Sequence, residues 1–158
     1  MEQVGFGGLL DSIREEGRRI SLFNSSDPIV HNHVFGIARF DLSSRQFDFN
    51  PIGPAPAGMT GLHVTPDKKD AYTVVSNGTL GNKRCEFWHF DLGTNKIVQT
   101  NEVPCRSRFS FGMSGDGKKL YLYGAGFEIE VYDAATLKYE RTWDLNNDTT
   151  GAGMIILP

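Results

Sequence analysis

Six basic or imidazole side chains and two thiols are the groups of this sequence that could do chemistry together: His31, His33, Lys83, Arg84, Arg106 and Arg108, with Cys85 and Cys105. His31 and His33 could offer two imidazoles to a metal, but a metal centre takes three or four ligands and no third stands nearby in the sequence. Lys83, Arg84, Arg106 and Arg108 form a cationic set suited to an anionic ligand or an acidic partner surface. The cysteines fit neither a C-x2-C zinc spacing nor a C-x-x-C-H haem attachment. There is no G-x-S-x-G elbow, no phosphate-binding P-loop and no H-E-x-x-H. The Gly5-x-Gly7-Gly8 run lacks the helix and the acidic residue of a dinucleotide site. An autonomous enzyme is therefore the poorer reading.

The elements that must position these groups come in repeats. FWHFDLGTNKIVQT and IEVYDAATLKYERT align on Asp91 and Asp133, 42 residues apart, and GIARFDLSSRQFDF places Asp41 in register 50 residues before Asp91. Upstream, VTPDKKDAY matches MSGDGKKLY. Each unit holds four runs rich in β-branched and aromatic residues, joined by Gly, Asn, Asp and Ser. The second unit reads Gly61–Thr65, Ala71–Ser76, Cys85–Leu92 and Lys96–Val103; the third reads Arg108–Ser114, Lys119–Gly124, Phe127–Ala134 and Lys138–Leu145. The first is looser: Gly7–Ile13, Arg19–Phe23, Val34–Leu42 and Gln46–Ile52. A helix over Leu10–Arg19 competes weakly, because Gly17 and the repeat register oppose it. Four-stranded units at this period predict an all-β fold, a partial β-propeller of three four-stranded antiparallel blades plus one closing strand. The expected blades cover residues 5–53, 59–104 and 106–146 of a single domain, with the closing strand at 151–158. That last run, Gly153–Pro158, aligns with Gly61–Pro66. Three visible blades and one shared blade leave about three more for a seven-bladed ring.

This geometry sorts the residues by rim. Asn24–His33, Pro51–Gly58, Ser76–Arg84 and Pro104–Arg106 fall on one rim, where the second unit carries seven inserted residues. His31, His33, Lys83, Arg84 and Arg106 lie on or near it, with Arg108 opening an inner strand. Long loops on a rigid scaffold are where binding concentrates. Asp41, Asp91 and Asp133 recur once per unit, which points to turn capping rather than catalysis. His63 and His89 read as structural histidines, and Trp88 and Trp143 as blade-packing residues.

Composition narrows the classes. The 158 residues are 39% apolar and 22% charged, enough for a core and too little charge for a disordered chain. Sixteen Lys and Arg against nineteen Asp and Glu leave a net charge of -3, so a nucleic-acid binder is not expected. No apolar run reaches the roughly 18 to 20 residues of a membrane span. MEQVGFGGLL lacks a basic n-region and is cut by Asp11, unlike a secretory signal. The chain is then either intracellular or the later part of an exported protein.

The run SFGMSGDGKKLYLYGAGFEIEVYDAATLKYERTWDL resembles the C-terminal blades of YVTN-type seven-bladed propellers, most of all the β chain of quinohemoprotein amine dehydrogenase. The likeness covers Gly61–Pro158, and residues 1–50 share only the blade pattern. It implies a periplasmic or extracellular, non-catalytic subunit of an enzyme oxidising primary amines. The quinone and haem would then sit on partner subunits, with no cofactor in this chain. The alternative is a generic YVTN or WD-like module binding a protein or ligand. A sugar- or lactone-hydrolysing propeller would need a central metal held by carboxylates, and no such set is visible. Expected partners are the remaining propeller half, a second copy, or partner subunits.

Export would also permit a disulfide. A hairpin pairing Asp91 with Lys96 sets Cys85 opposite Glu102 and brings Cys105 near, close enough to allow a bridge without requiring one.

Overall fold

A computed structural model describes residues 3–7, 14–15, 17–26 and 33–148. The expected closing strand at 151–158, His31, and most of the proposed Gly7–Ile13 strand lie outside the described residues. The first sheet contains β1 (Gln3–Gly7), β2 (Arg14–Glu15), β3 (Arg18–Ser26), β4 (His33–Asp41) and β5 (Phe47–Pro54). The second contains β6 (Gly58–Met59), β7 (His63–Val64), β8 (Asp70–Asn77), β9 (Arg84–Asp91) and β10 (Lys96–Val103). The third contains β11 (Ser110–Met113), β12 (Lys119–Tyr123), β13 (Glu128–Asp133) and β14 (Tyr139–Asp144). All pairings are antiparallel. Among the described residues there is no α-helix, and so none long and apolar enough to cross a membrane.

The first sheet begins earlier than the repeat suggests. β1 pairs with the far half of β3 and β2 with its near half, so the innermost position is filled by two pieces. The second sheet does the same: β6 and β7 both pair with β8 in place of one continuous Gly61–Thr65 strand. Thr60 joins the two pieces, its Oγ1 accepting the Val74 N–H at 3.0 Å.

Alternation along each strand builds two cores, one on each face of the second sheet. Ile20, Leu22, Phe35 and Ile37 of the first sheet meet Leu62, Val64, Ala71, Phe90 and Leu92 of the second. On its opposite face Tyr72, Val74, Cys85, Phe87 and Val103 meet Phe111, Leu120, Leu122, Tyr132, Ala134 and Leu137 of the third. Trp88 is packed as expected against the first of these cores, 5.2 Å from Phe35 between ring centroids. Trp143 is not a core residue: it is 37% exposed on the outermost strand of the third sheet, beyond which no further sheet is described. The backbone also demands one glycine inside the first sheet. A Cβ on Gly36 would stand 2.0 Å from the Asn50 carbonyl oxygen and 2.8 Å from the Phe23 ring.

Candidate binding rim

The two ends of the sheets differ. One carries tight turns: Thr65–Asp70, Asp91–Lys96, Ser114–Lys119 and Asp133–Lys138, with Asp41–Gln46 in the first sheet. Their polar atoms are engaged with their own backbone. Asp41 Oδ1 accepts the N–H groups of Ser43 and Ser44 at 3.0 and 2.8 Å, Asp91 Oδ1 that of Thr94 at 2.8 Å, and Asp133 Oδ1 that of Thr136 at 2.9 Å. The Thr136 hydroxyl, ahead of its N–H, at Asp133, the Ser44 N–H and then the Ser43 hydroxyl at Asp41, and the Thr94 N–H at Asp91 hold all three carboxyls below the usual carboxylate range. The repeated aspartates cap turns. The cleft of ≈ 470 Å³ between the second and third sheets lies here too, lined by Asp67, Tyr72, Asp116, Lys119 and Asp133 among others. Asp67 and Asp116 are bound by Thr65 and Ser114 hydroxyls at 2.7 and 2.6 Å, and Lys119 by Asp133 and Glu140. Burial, with the Asp70 charge beside it, pushes the Tyr72 phenol up to about 12, so it stays protonated. His89 stacks on that ring at 4.5 Å and binds Asp70 Oδ1 through Nε2 at 2.7 Å, a structural role.

The opposite rim holds the described members of the sequence-predicted set, His31 lying outside the described residues. Between β8 and β9 the inserted loop makes one 3-10 turn, Leu80–Asn82. Gly78 enters it at φ +77, where a Cβ would lie 2.3 Å from the Asn82 carbonyl oxygen. Cys85, fully buried at the start of β9, is bridged to Cys105 in the linker to the third sheet, with Cα atoms 5.2 Å apart. The partner of Cys85 across the hairpin is Val103, not Glu102. A bulge at Val98, 54% exposed, adds one residue to β10 and shifts the register, which brings Cys105 one residue closer.

The bridge ties the inserted loop to the linker. Lys83 Nζ donates to the Arg106 carbonyl at 3.4 Å and lies 5.9 Å from the Phe109 ring centroid. Lys83, Arg84 and Arg108 are exposed. Arg106 is different. Its guanidinium donates to Glu130 Oε1 at 2.6 Å with both side chains only 14% exposed, and the Tyr132 hydroxyl donates to the other carboxylate oxygen at 2.7 Å. Arg106 is thus a neutralised anchor of the linker and not a free rim cation. His33 sits exposed at the start of β4, on the first sheet, with its carbonyl accepting the Ala55 N–H at 2.9 Å. Among the described residues no three His, Cys, Asp or Glu side chains gather as a metal site.

Sequence reading missed Glu130 and Tyr132. The signal was available: within FEIEVYD, Glu130 occupies the repeat position of Trp88 and Ala38, facing the preceding sheet. A carboxylate at an inward position demands a partner.

Three antiparallel sheets packed face to face, with tight turns on one rim and individual loops on the other, define an open, propeller-like all-β fold. The sequence matches no family model and no curated protein. Solved structures do match. The β-propeller domain of the trilobed protease from Pyrococcus furiosus, described as having an open velcro topology, is similar at a TM-score of 0.53 and 16% identity, over 88% of this chain and 43% of that one. The Dos1 propeller is similar at 0.55 and 14%, over 89% and 34%. The dihydro-haem d1 dehydrogenase NirN is similar at 0.51 and 17%, over 88% and 27%. At these identities the likeness is one of fold, and the chain spans less than half the length of each.

Proposed function

We propose that this chain is a propeller-type binding module whose loop rim docks an acidic partner surface. The observation that carries the reading is the stapled rim: Lys83, Arg84 and Arg108 stand exposed around a linker fixed by the Cys85–Cys105 bridge and the Arg106–Glu130 pair. Fixing the backbone beforehand lowers the ordering cost of binding, and exposed cations steer an acidic partner at rates that fall with salt. The disulfide fits an oxidising compartment, in keeping with a periplasmic or extracellular location. A narrower form, a subunit seated beside quinone- and haem-bearing partners in an amine dehydrogenase, draws on the sequence resemblance alone. The general reading draws on geometry and is the one put forward.

The test is fluorescence anisotropy with a labelled oligo-glutamate peptide at low and physiological ionic strength. Binding that weakens with salt and is lost in the Lys83→Glu/Arg84→Glu/Arg108→Glu variant supports the reading. Equal binding by that variant overturns it.

A further inference from the structure

We propose that the pocket of ≈ 240 Å³ beside Lys83 anchors the acidic partner by taking one of its apolar side chains, with an adjoining carboxylate of the partner pairing with Lys83. The inference rests on the loop rim being a docking surface and names what that surface selects.

Two walls form the pocket. Met59, Val75 and Ser76 belong to the second sheet, where β6 pairs with the end of β8 and Met59 stands opposite Val75. Ser107 and Phe109 belong to the linker that leads into β11, just past Cys105. Across the sheet, Ser76 of the first wall is the direct partner of Cys85 on β9. Cys85 is bridged to Cys105, so one disulfide ties the linker wall to the sheet wall. The Lys83 bond to the Arg106 carbonyl at 3.4 Å fastens the same linker a second time. The width of the pocket is thus set before a ligand arrives, and a pre-formed cavity spares the ordering cost of binding.

The lining fixes the kind of ligand. Met59 and Phe109 are half-buried beside the buried Val75, which gives the pocket apolar surface to cover. Lys83 supplies the charge of the lining, its Nζ 5.9 Å from the Phe109 ring centroid. An ammonium carries three donors, and the Arg106 carbonyl takes one of them. Arg84 and Arg108, exposed and next in sequence to lining residues, extend the positive field. A purely acidic segment would leave Met59 and Phe109 uncovered, and a purely apolar one would bring Lys83 no anion. A segment carrying both serves both. The ring is also not something the repeat requires. VTPDKKDAY aligned with MSGDGKKLY puts Phe109 in the place of Thr60, whose Oγ1 accepts the Val74 N–H inside the second sheet.

Fluorescence anisotropy tests this with two labelled peptides of equal charge and length. One is a glutamate run with a central phenylalanine, and the other has serine in its place. The phenylalanine peptide should bind about tenfold tighter, as burial of one aromatic side chain implies. Ser107→Trp, at an exposed lining residue, fills the pocket and should bring the phenylalanine peptide down to the level of the serine one. Binding of the serine peptide should be unchanged. Met59→Gln, which exchanges apolar lining for an amide of similar length, should narrow the difference and stands in if Ser107→Trp misfolds by circular dichroism. Equal binding of the two peptides by the parent chain, or a difference that either folded variant leaves intact, overturns the pocket and leaves the cationic rim to its own salt and charge-reversal test. Binding of neither peptide overturns the rim reading and this inference together.

Discussion

The turn rim and the loop rim are built from the same strands and obey different rules. On the turn rim each feature occurs once per repeat. Asp41, Asp91 and Asp133 cap equivalent turns, and Arg45, Asn95 and Leu137 occupy one equivalent position at φ of 58, 55 and 57. What the three share at that position is the left-handed backbone the hairpin needs, whatever else the side chain does: Leu137 is also fully buried in the core. Lys68 and Gly117 repeat the point in the preceding turns at φ 60 and 74. On the loop rim nothing described recurs. The disulfide, the inserted 3-10 turn and the Arg106–Glu130–Tyr132 cluster each occur once. A residue present in every unit is explained by the fold, whereas a residue present in one unit requires its own explanation.

The most damaging way to break this contrast is to remove Glu130. Glu130→Ala leaves Arg106, 14% exposed, without its counter-charge and strips the Tyr132 hydroxyl of its acceptor. Loss of one partner from a mostly buried pair costs about 3 kcal/mol or more, read as a fall in the urea midpoint at unchanged slope. Glu130→Gln keeps an acceptor and should lose less. Next comes the bridge. Opening the Cys85–Cys105 bond, which spans 20 residues, releases the linker and should cost about 3 kcal/mol by the chain-entropy account. The same melting curve with and without reductant measures it, with Cys105→Ser as the reductant-insensitive control.

The fold was legible because its physics is periodic. Alternation in AYTVVS and LYLY and the D-x-x-T turns report strand faces and hairpins directly, and they repeat. Two kinds of feature were not legible. The bulge at Val98 inserts one residue into a strand without any turn signal, so the hairpin register past it reads one position out and Cys85 pairs with Val103. Side-chain pairing across the sheets was equally hidden. Lys83, Arg84, Arg106 and Arg108 look alike in sequence, and only the position of Glu130 on the third sheet separates the neutralised Arg106 from the other three.

A smaller effect sharpens the contrast from the turn rim. The turn hydrogen bonds lower the folded-state pKa of Asp41, Asp91 and Asp133 relative to about 3.9 in the unfolded chain. Their contribution is therefore complete above that value and is lost as pH falls through the folded-state values. The melting temperature should hold steady between pH 7 and 5 as far as these groups are concerned and drop below about pH 4. Replacing all three by Asn keeps an acceptor oxygen but removes the titration, so the acid slope below pH 4 should flatten in a pH series of thermal melts. Asp41 accepts from the Ser44 and Ser43 N–H groups and the Ser43 hydroxyl and is lowered furthest, so Asp41→Asn should remove the largest share of that slope.

The smallest expected effect on stability is on the loop rim itself. Lys83, Arg84 and Arg108 are exposed, and the side-chain hydrogen bond from Lys83 to the Arg106 carbonyl is long at 3.4 Å. Reversing each to Glu one at a time should leave the folding free energy within about 0.5 kcal/mol, as surface substitutions away from packed features do. Arg106→Gln, one residue past the bridge, should instead lower it, because Glu130 would lose its partner. Denaturation of the four single variants side by side reads both expectations at once. Should Lys83→Glu or Arg84→Glu destabilise as much as Arg106→Gln, these cations would belong to the scaffold. The contrast between a rim that holds the fold and a rim free to bind would then fail at the residues on which it depends.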